Sequence, residues 1–277
     1  MTPLLFTVVV ALVSYSAGLL GSLVGVGGGI IVVPLLSLFL GVDIHHAIAA
    51  SIISVIATSS GAASSYVRSH VSNLRLAMFM EVSTTVGALS GAFLAVVISS
   101  RWLFVLFGAV LIYTAVSMYK RNGRSTARFP DDPLADRLKL HGAFYDPSIK
   151  SEVIYRVSRT KLGFGVGYIA GIVSGLLGVG GGVIKVPVMN LAMGMPIKAC
   201  TATSNFMIGV TAAASATVYF ARGEVQPFIA APVAVGVLLG AKSGAKVMGH
   251  LKNDVIRLIF VIVLVVTSVQ MLLKGFN

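Results

Sequence analysis

Ten runs of apolar residues divide the chain, at 2–23, 30–40, 44–67, 74–98, 102–119, 162–177, 183–193, 197–220, 225–247 and 255–273. Most reach the roughly 20 residues that a helix needs to cross a hydrocarbon core about 30 Å thick. Only 11% of the residues are charged and 56% are hydrophobic, and the mean hydropathy is +0.94, so the chain belongs in a lipid bilayer rather than in water. The expected fold is an all-α polytopic membrane protein. Two runs, 30–40 and 183–193, do not fit a full span: at about 1.5 Å per residue they reach only half-way across. The first run lacks a basic leader and no soluble domain follows it, which reads as a retained span rather than a cleaved signal.

The second constraint is an internal duplication. Shifted by 153 positions, the sequence aligns with itself without a gap: Ala17-Gly18 falls on Ala170-Gly171, Pro34 on Pro187, Gly41 on Gly194, Ser51 on Ser204, Tyr66 on Tyr219 and Phe107 on Phe260. The stretch VGVGGGIIVVP at 24–34 returns as LGVGGGVIKVP at 177–187, and GALSGA at 87–92 as GAKSGA at 240–245. Residues 1–119 and 161–277 are therefore two repeats of five apolar segments, joined by a linker at 120–160.

Between Lys120 and Lys161 stand ten Lys or Arg against five Asp or Glu. The formal net charge of +12 is thus concentrated in a loop, as the positive-inside rule describes for cytoplasmic loops, and it calls for no nucleic acid. With 120–160 inside, the turns at 68–75, 198 and 246–257 also fall inside. The turns at 43–46, 99–101 and 222–224 and both termini fall outside, in a multi-pass protein of the cell membrane. Corresponding loops then lie on opposite faces, so the repeats are inverted.

Three consecutive glycines, each about 1 kcal/mol worse than alanine in a helix, break the apolar run at Gly27-Gly28-Gly29 and again at Gly180-Gly181-Gly182. Broken backbone survives in a membrane only where it is buried in protein or lines a watery cavity. Short, glycine-interrupted segments at matching places in inverted repeats point to a substrate site near the midplane. Helices restarting there present free N–H groups that favour an anion. The i, i+4 glycines at 87 and 91, and at 240 and 244, read differently, as one-sided stripes for close helix packing.

A glycine-rich turn, an aliphatic run and a proline, once in each half of a polytopic chain, resemble the sulfite exporter TauE/SafE family. The stretches that carry the likeness are 25–34, 178–187, 47–60 and 199–214. The resemblance implies transport, with export as the expected direction, of small sulfur-containing anions such as sulfite, sulfonates or thiosulfate.

The candidate binding residues are Gly25, Gly27, Gly28, Gly29 and Ser51 in the first repeat, and Gly178, Gly180, Gly181, Gly182, Lys185, Ser204, Asn205 and Lys242 in the second. Lys185 and Lys242 replace Val32 and Leu89 of the first repeat. An intramembrane cation is a functional candidate by default, against the alternative that it snorkels to an interface. Ser51, Ser204 and Asn205 cluster after the short segments, and Asn190 could face the same cavity. Glu81, the one acidic residue well inside an apolar run, reads first as a residue of the cytoplasmic interface near Arg75, with pairing to a lysine or carriage of a coupling proton as the alternatives. The adjacent His45 and His46 read as a solvated turn, and Cys200 as a packing residue. The pattern calls for no metal and no cofactor. An enzyme is disfavoured, since Ser90 and Ser243 have no nearby histidine to act as a base. An anion pore remains the alternative to a carrier, because glycine loops also line channels.

Overall fold

The structure, a computed structural model, describes residues 3–95, 97–120, 131–248 and 250–276. It is helical, with one small hairpin. The first half contains α1 (Pro3–Val24), α2 (Gly29–Pro34), α3 (Ile44–Arg68), α4 (Leu74–Leu94) and α5 (Ser100–Lys120). The linker supplies α6 (Pro133–Arg137), β1 (Gly142–Asp146) and β2 (Ser151–Tyr155). The second half supplies α7 (Thr160–Leu177), α8 (Gly182–Pro187), α9 (Ile197–Ala221), α10 (Pro227–Met248) and α11 (Asn253–Phe276). By length and composition, five of the described helices can cross a membrane: those at Leu5–Leu23, Ile44–Arg68, Leu74–Leu94, Thr160–Leu177 and Pro227–Met248.

The two half-length segments are helices that open into a π turn. After α2 the turn covers Leu35–Phe39, and after α8 it covers Val188–Ala192. The cause is local: Pro34 and Pro187 have no N–H to donate to the carbonyl four residues back, so the helix widens instead of ending.

The halves are interleaved rather than set side by side. α1 packs on α10 and α4 on α7, α3 on both α9 and α10, α4 also on α9, and α5 on α11. Every one of these contacts maps onto another, or onto itself, when each helix is exchanged for its counterpart in the other half. Small residues set the closest approaches. A methyl at Gly91 would lie 2.1 Å from the Ile172 carbonyl oxygen, and one at Gly240 would lie 1.9 Å from that of Tyr15. The glycine stripes are thus packing surfaces, and the order of their contacts gives direction. Ala11, Tyr15 and Leu19 meet Gly236, Gly240 and Gly244 in turn, so α1 and α10 run parallel; Gly167, Gly171 and Gly175 follow Met80, Thr84 and Ala88 in the same way along α4 and α7.

The linker is folded and docked, not a solvated loop. β1 and β2 pair antiparallel from Gly142↔Tyr155 to Asp146↔Ser151. Asp132 caps α6, accepting from the amides of Leu134 (3.0 Å) and Ala135 (3.3 Å), and its other oxygen accepts from Thr160 at the start of α7. Asn73 ties three elements together. Its carbonyl oxygen caps α4 at Leu76, its amide nitrogen donates to the Leu140 carbonyl and the Tyr155 hydroxyl, and its backbone N–H donates to Thr203 of α9. The Lys198 ammonium, buried at the start of α9, donates to Asp146 at 2.6 Å and to Ser148 at 2.9 Å. These contacts gather the turn at 68–75, the linker and the start of α9 at one end of the bundle. At the other end His46 meets the Glu224 carbonyl at 2.9 Å.

Candidate functional site

Where α1 breaks, the chain turns through positive φ at Gly25 (+78°) and Gly27 (+81°); where α7 breaks, it does so at Gly178 (+69°), Gly180 (+73°) and Gly181 (+71°). The two turns meet between α3 and α9. A methyl at Gly29 would lie 2.6 Å from the Gly178 carbonyl oxygen, and one at Gly182 would lie 2.3 Å from that of Gly25. Only hydrogen side chains permit that approach.

The polar groups beside the turns largely serve this contact. Ser51 donates to the Gly178 carbonyl at 2.7 Å, and its counterpart Ser204 donates to the Gly25 carbonyl at 2.5 Å. The pattern extends to Tyr66, whose hydroxyl donates to the Ser22 carbonyl, and to its counterpart Tyr219, which donates to the Gly175 carbonyl. Each helix break frees carbonyls that would be costly to bury unpaired; serines of the opposite half and tyrosines of the same half satisfy them. Ser51 and Ser204, expected as ligand contacts, thus have their hydroxyl protons engaged by the turns. Asn205 donates to the carbonyls of Ser22 (2.9 Å) and Thr201 (3.0 Å), while its own side-chain oxygen is buried without a hydrogen-bond partner.

The two-fold pattern fails at Asn205, whose counterpart is Ile52, and it fails again at a place that is charged. In the first half the Gly28 amide donates to Thr58 at 3.1 Å. In the second half Thr211, the counterpart of Thr58, accepts from the Lys185 ammonium at 3.0 Å and donates to Glu81 at 2.6 Å. Glu81 Oε1 also accepts from Thr85 at 3.2 Å, while Oε2 lies 3.9 Å from Lys185 Nζ. Both charged side chains are buried, at 0% and 7% exposure. The Lys185 stem lies against the glycine turn: a methyl at Gly181 would come within 3.1 Å of its Cε.

Two expectations are corrected here. Glu81 is not interfacial; a carboxylate on the face that α4 turns to α9 is enclosed by the bundle and finds its cation on α8. Lys242 does not join Lys185. It is exposed, because Gly236, Gly240 and Gly244 commit the other face of α10 to α1, and a residue two positions from Gly240 points about 200° away on a helix. Asn190 is occupied locally, donating to the Met195 carbonyl at 2.8 Å. Cys200 is buried and packs as expected. Sequence reasoning missed Thr211 as the bridge between the charges. The signal that could have found the pair was available: Lys185 and Glu81 are both departures from the repeat, opposite Val32 and Ala234, and they have opposite sign.

A crevice of about 340 Å³ opens between α1, α2 with its π turn, and α11, lined by Leu20, Ile31, Pro34, Leu35, Val266 and Gln270 among others. A smaller pocket shares Leu20 and Ile31 with it and reaches Gly27. The walls are mostly apolar, and neither space is lined by Lys185.

Membrane-length helices, two broken segments meeting inside the bundle and an ion pair buried beside one of them define a multi-pass membrane transporter rather than an enzyme. The comparisons with known proteins agree. The chain belongs to the sulfite exporter TauE/SafE family, whose sequence profile matches residues 10–271. Among its relatives, the probable membrane transporter protein YunE of Bacillus subtilis is 26% identical, covering 97% of this chain and 98% of its own. A probable membrane transporter protein of Methanocaldococcus jannaschii is 25% identical over 98% of this chain and 97% of its own. One from Xylella fastidiosa is 29% identical over 91% and 89%. No solved structure matches the chain.

Proposed function

We propose that this transporter carries small sulfur-containing anions such as sulfite, sulfonates or thiosulfate across the cell membrane, by alternating access between inverted repeats, with Lys185 as the cationic contact for the substrate. The observation that carries the reading is the Lys185 ammonium, buried against the second glycine turn at a position where the first repeat has valine. A cation placed inside a bundle is costly and marks a substrate or ion path. The directions of the helices support the inversion. α1, α3 and α10 run one way and α4, α7 and α9 the other, so the members of the pairs α1/α7, α3/α9 and α4/α10 are opposed. Lys185 and the glycine turns lie where the repeats meet, the expected place for a substrate in a transporter built of inverted repeats.

Thermal denaturation of the purified protein, with sulfite, thiosulfate and isethionate titrated separately, tests the substrate class, because an anion that binds the folded state raises the melting temperature with concentration. Lys185→Met keeps the bulk of the stem and removes the charge, and losing a charge-assisted contact of about 1.5–3 kcal/mol weakens binding roughly ten- to hundredfold. Lys242→Met, on the outer face, leaves affinity unchanged. Equal affinity of wild type and Lys185→Met for every anion that binds would remove Lys185 from the site. Flux that saturates and shows counterflow marks a carrier; flux without either marks a pore.

A further inference from the structure

We infer that Lys185 and Glu81 form a proton-coupled anion site, in which Lys185 holds the anion and Glu81 takes up one proton for each monovalent anion bound, so that the two cross together. The inference rests on the reading that the chain carries an anion at Lys185, and it adds the driving ion.

The repeat supplies an internal control. The four positions Lys185, Thr211, Glu81 and Thr84 correspond to Val32, Thr58, Ala234 and Val237 in the other half. The same architecture therefore folds around an uncharged version of this site. A buried ion pair is seldom worth more to stability than apolar packing of similar volume, so the charges are not needed to hold the helices together. They form a complementary pair, from different helices and different halves.

The pair is also incompletely satisfied. Glu81 Oε1 accepts from Thr211 and Thr85, whereas Oε2 is buried with no hydrogen-bond partner, 3.9 Å from the ammonium. That is too long for a hydrogen bond and short enough for strong Coulomb coupling in a water-poor interior. Thr211 stands between the two groups, accepting from Nζ and donating to Oε1. Little else neutralises Glu81. α7 turns Gly167 and Gly171 toward α4, and α9 contributes Thr211; none of these titrates. On α4 itself the nearest charge is Arg75, exposed at the start of the helix and donating to the Lys139 carbonyl. Among the described residues, Lys185 is the charged group that faces Glu81.

Charge balance then dictates the coupling. The empty site holds one ammonium and one carboxylate and is neutral. A monovalent anion on Lys185 adds a negative charge; a proton from water, forming an O–H bond at Glu81 Oε2, restores neutrality. A proton without the anion would leave the ammonium unpaired, and an anion without the proton would set two negative charges against one ammonium. Each ligand therefore raises the affinity for the other by the same factor. On the opposite side of the membrane the anion and the proton of Glu81 leave together, and the empty carrier returns with its ion pair re-formed.

The test uses the full chain in proteoliposomes, with radiolabelled isethionate and thiosulfate as probes. Wild type should show counterflow, and an inwardly directed gradient of about one pH unit should drive isethionate to about tenfold accumulation, the limit for one proton per anion. Glu81→Gln should lose the accumulation, and any counterflow it retains should no longer respond to the pH gradient. Wild-type counterflow that ignores the pH gradient overturns the coupling alone, as does a Glu81→Gln protein that still accumulates isethionate. Absence of counterflow with both probes removes the anion-carrier reading as well. Should Glu81→Gln fail to fold, the wild-type response to the gradient decides.

Discussion

Lys198 and Asp146 make a buried ion pair at 2.6 Å, both side chains 3% exposed, and Ser148 donates to the same carboxylate through its N–H and its hydroxyl. Unlike the Glu81 pair, this one is directly hydrogen-bonded, with Lys198 and Ser148 both donating to Asp146 Oδ1, and it fastens the linker to α9, which suits a structural clamp. Burial pushes the Asp146 carboxyl upward, but the hydrogen bonds from Lys198 and Ser148 and the Lys198 charge outweigh it and hold the group below the ordinary aspartate value. A carboxyl depressed in the folded state contributes stability above its unfolded pKa, near 3.9, and loses it as the pH falls through the lower folded value. Hydrogen-exchange protection in residues 140–156, taken relative to the intrinsic rate at each pH, should therefore stay high at about pH 5 and fall only below about pH 4. Asp146→Asn strands the ammonium, a loss of about 3–5 kcal/mol, and should speed that exchange more than a hundredfold at neutral pH. Unchanged protection in Asp146→Asn would show that the hairpin docks without the clamp. This contact was not legible in the sequence, where Lys198 reads only as a basic turn.

Elements, by contrast, were placed well by periodicity and breaks. The half-length runs at 30–40 and 183–193 become α2 and α8 with their π turns, and the glycines before them become the turns. Packing of α4 on α7 depends on bare backbone, and here two glycines of ordinary helical φ should respond in opposite directions. Gly91→Ala puts a methyl 2.1 Å from the Ile172 carbonyl oxygen, so the helices must part, at a cost of about 1–3 kcal/mol or more. Gly165→Ala on α7 meets nothing within 4 Å and should gain up to about 1 kcal/mol of helix propensity. Thermal unfolding in detergent reads both: a lower melting temperature for Gly91→Ala and an equal or higher one for Gly165→Ala. A Gly91→Ala protein as stable as wild type would mean that α4 and α7 are not held at this distance.

At the scale of the whole molecule, the two ends of the bundle are distinct. One gathers the linker, Asn73 and Lys198; the other brings His46 to Glu224. With the basic linker in the cytoplasm, single cysteines at Ser99 and Gln226, in a Cys200→Ala background, should react with an impermeant thiol reagent added outside intact cells. One at Glu152, exposed on the hairpin, should react only after permeabilisation. Outside labelling at Glu152 would reverse the orientation. The other linker position suited to this test, Ser125, lies outside the described residues.

The residue order by itself determined the all-α membrane class, the 153-residue duplication, the two broken segments and the family, because each is written in local periodicity or in a shift of the chain against itself. Gly87 and Gly91 could likewise be read as a packing stripe from their spacing alone. Only the tertiary structure decided that Glu81 faces Lys185, that Lys242 faces outward, that Ser51 and Ser204 close the opposite half's glycine turn, and that the linker docks through Asp146. Those outcomes depend on which helices become neighbours. That choice comes from interleaving the halves, α1 with α10 and α4 with α7, a long-range packing result that no window of the sequence contains.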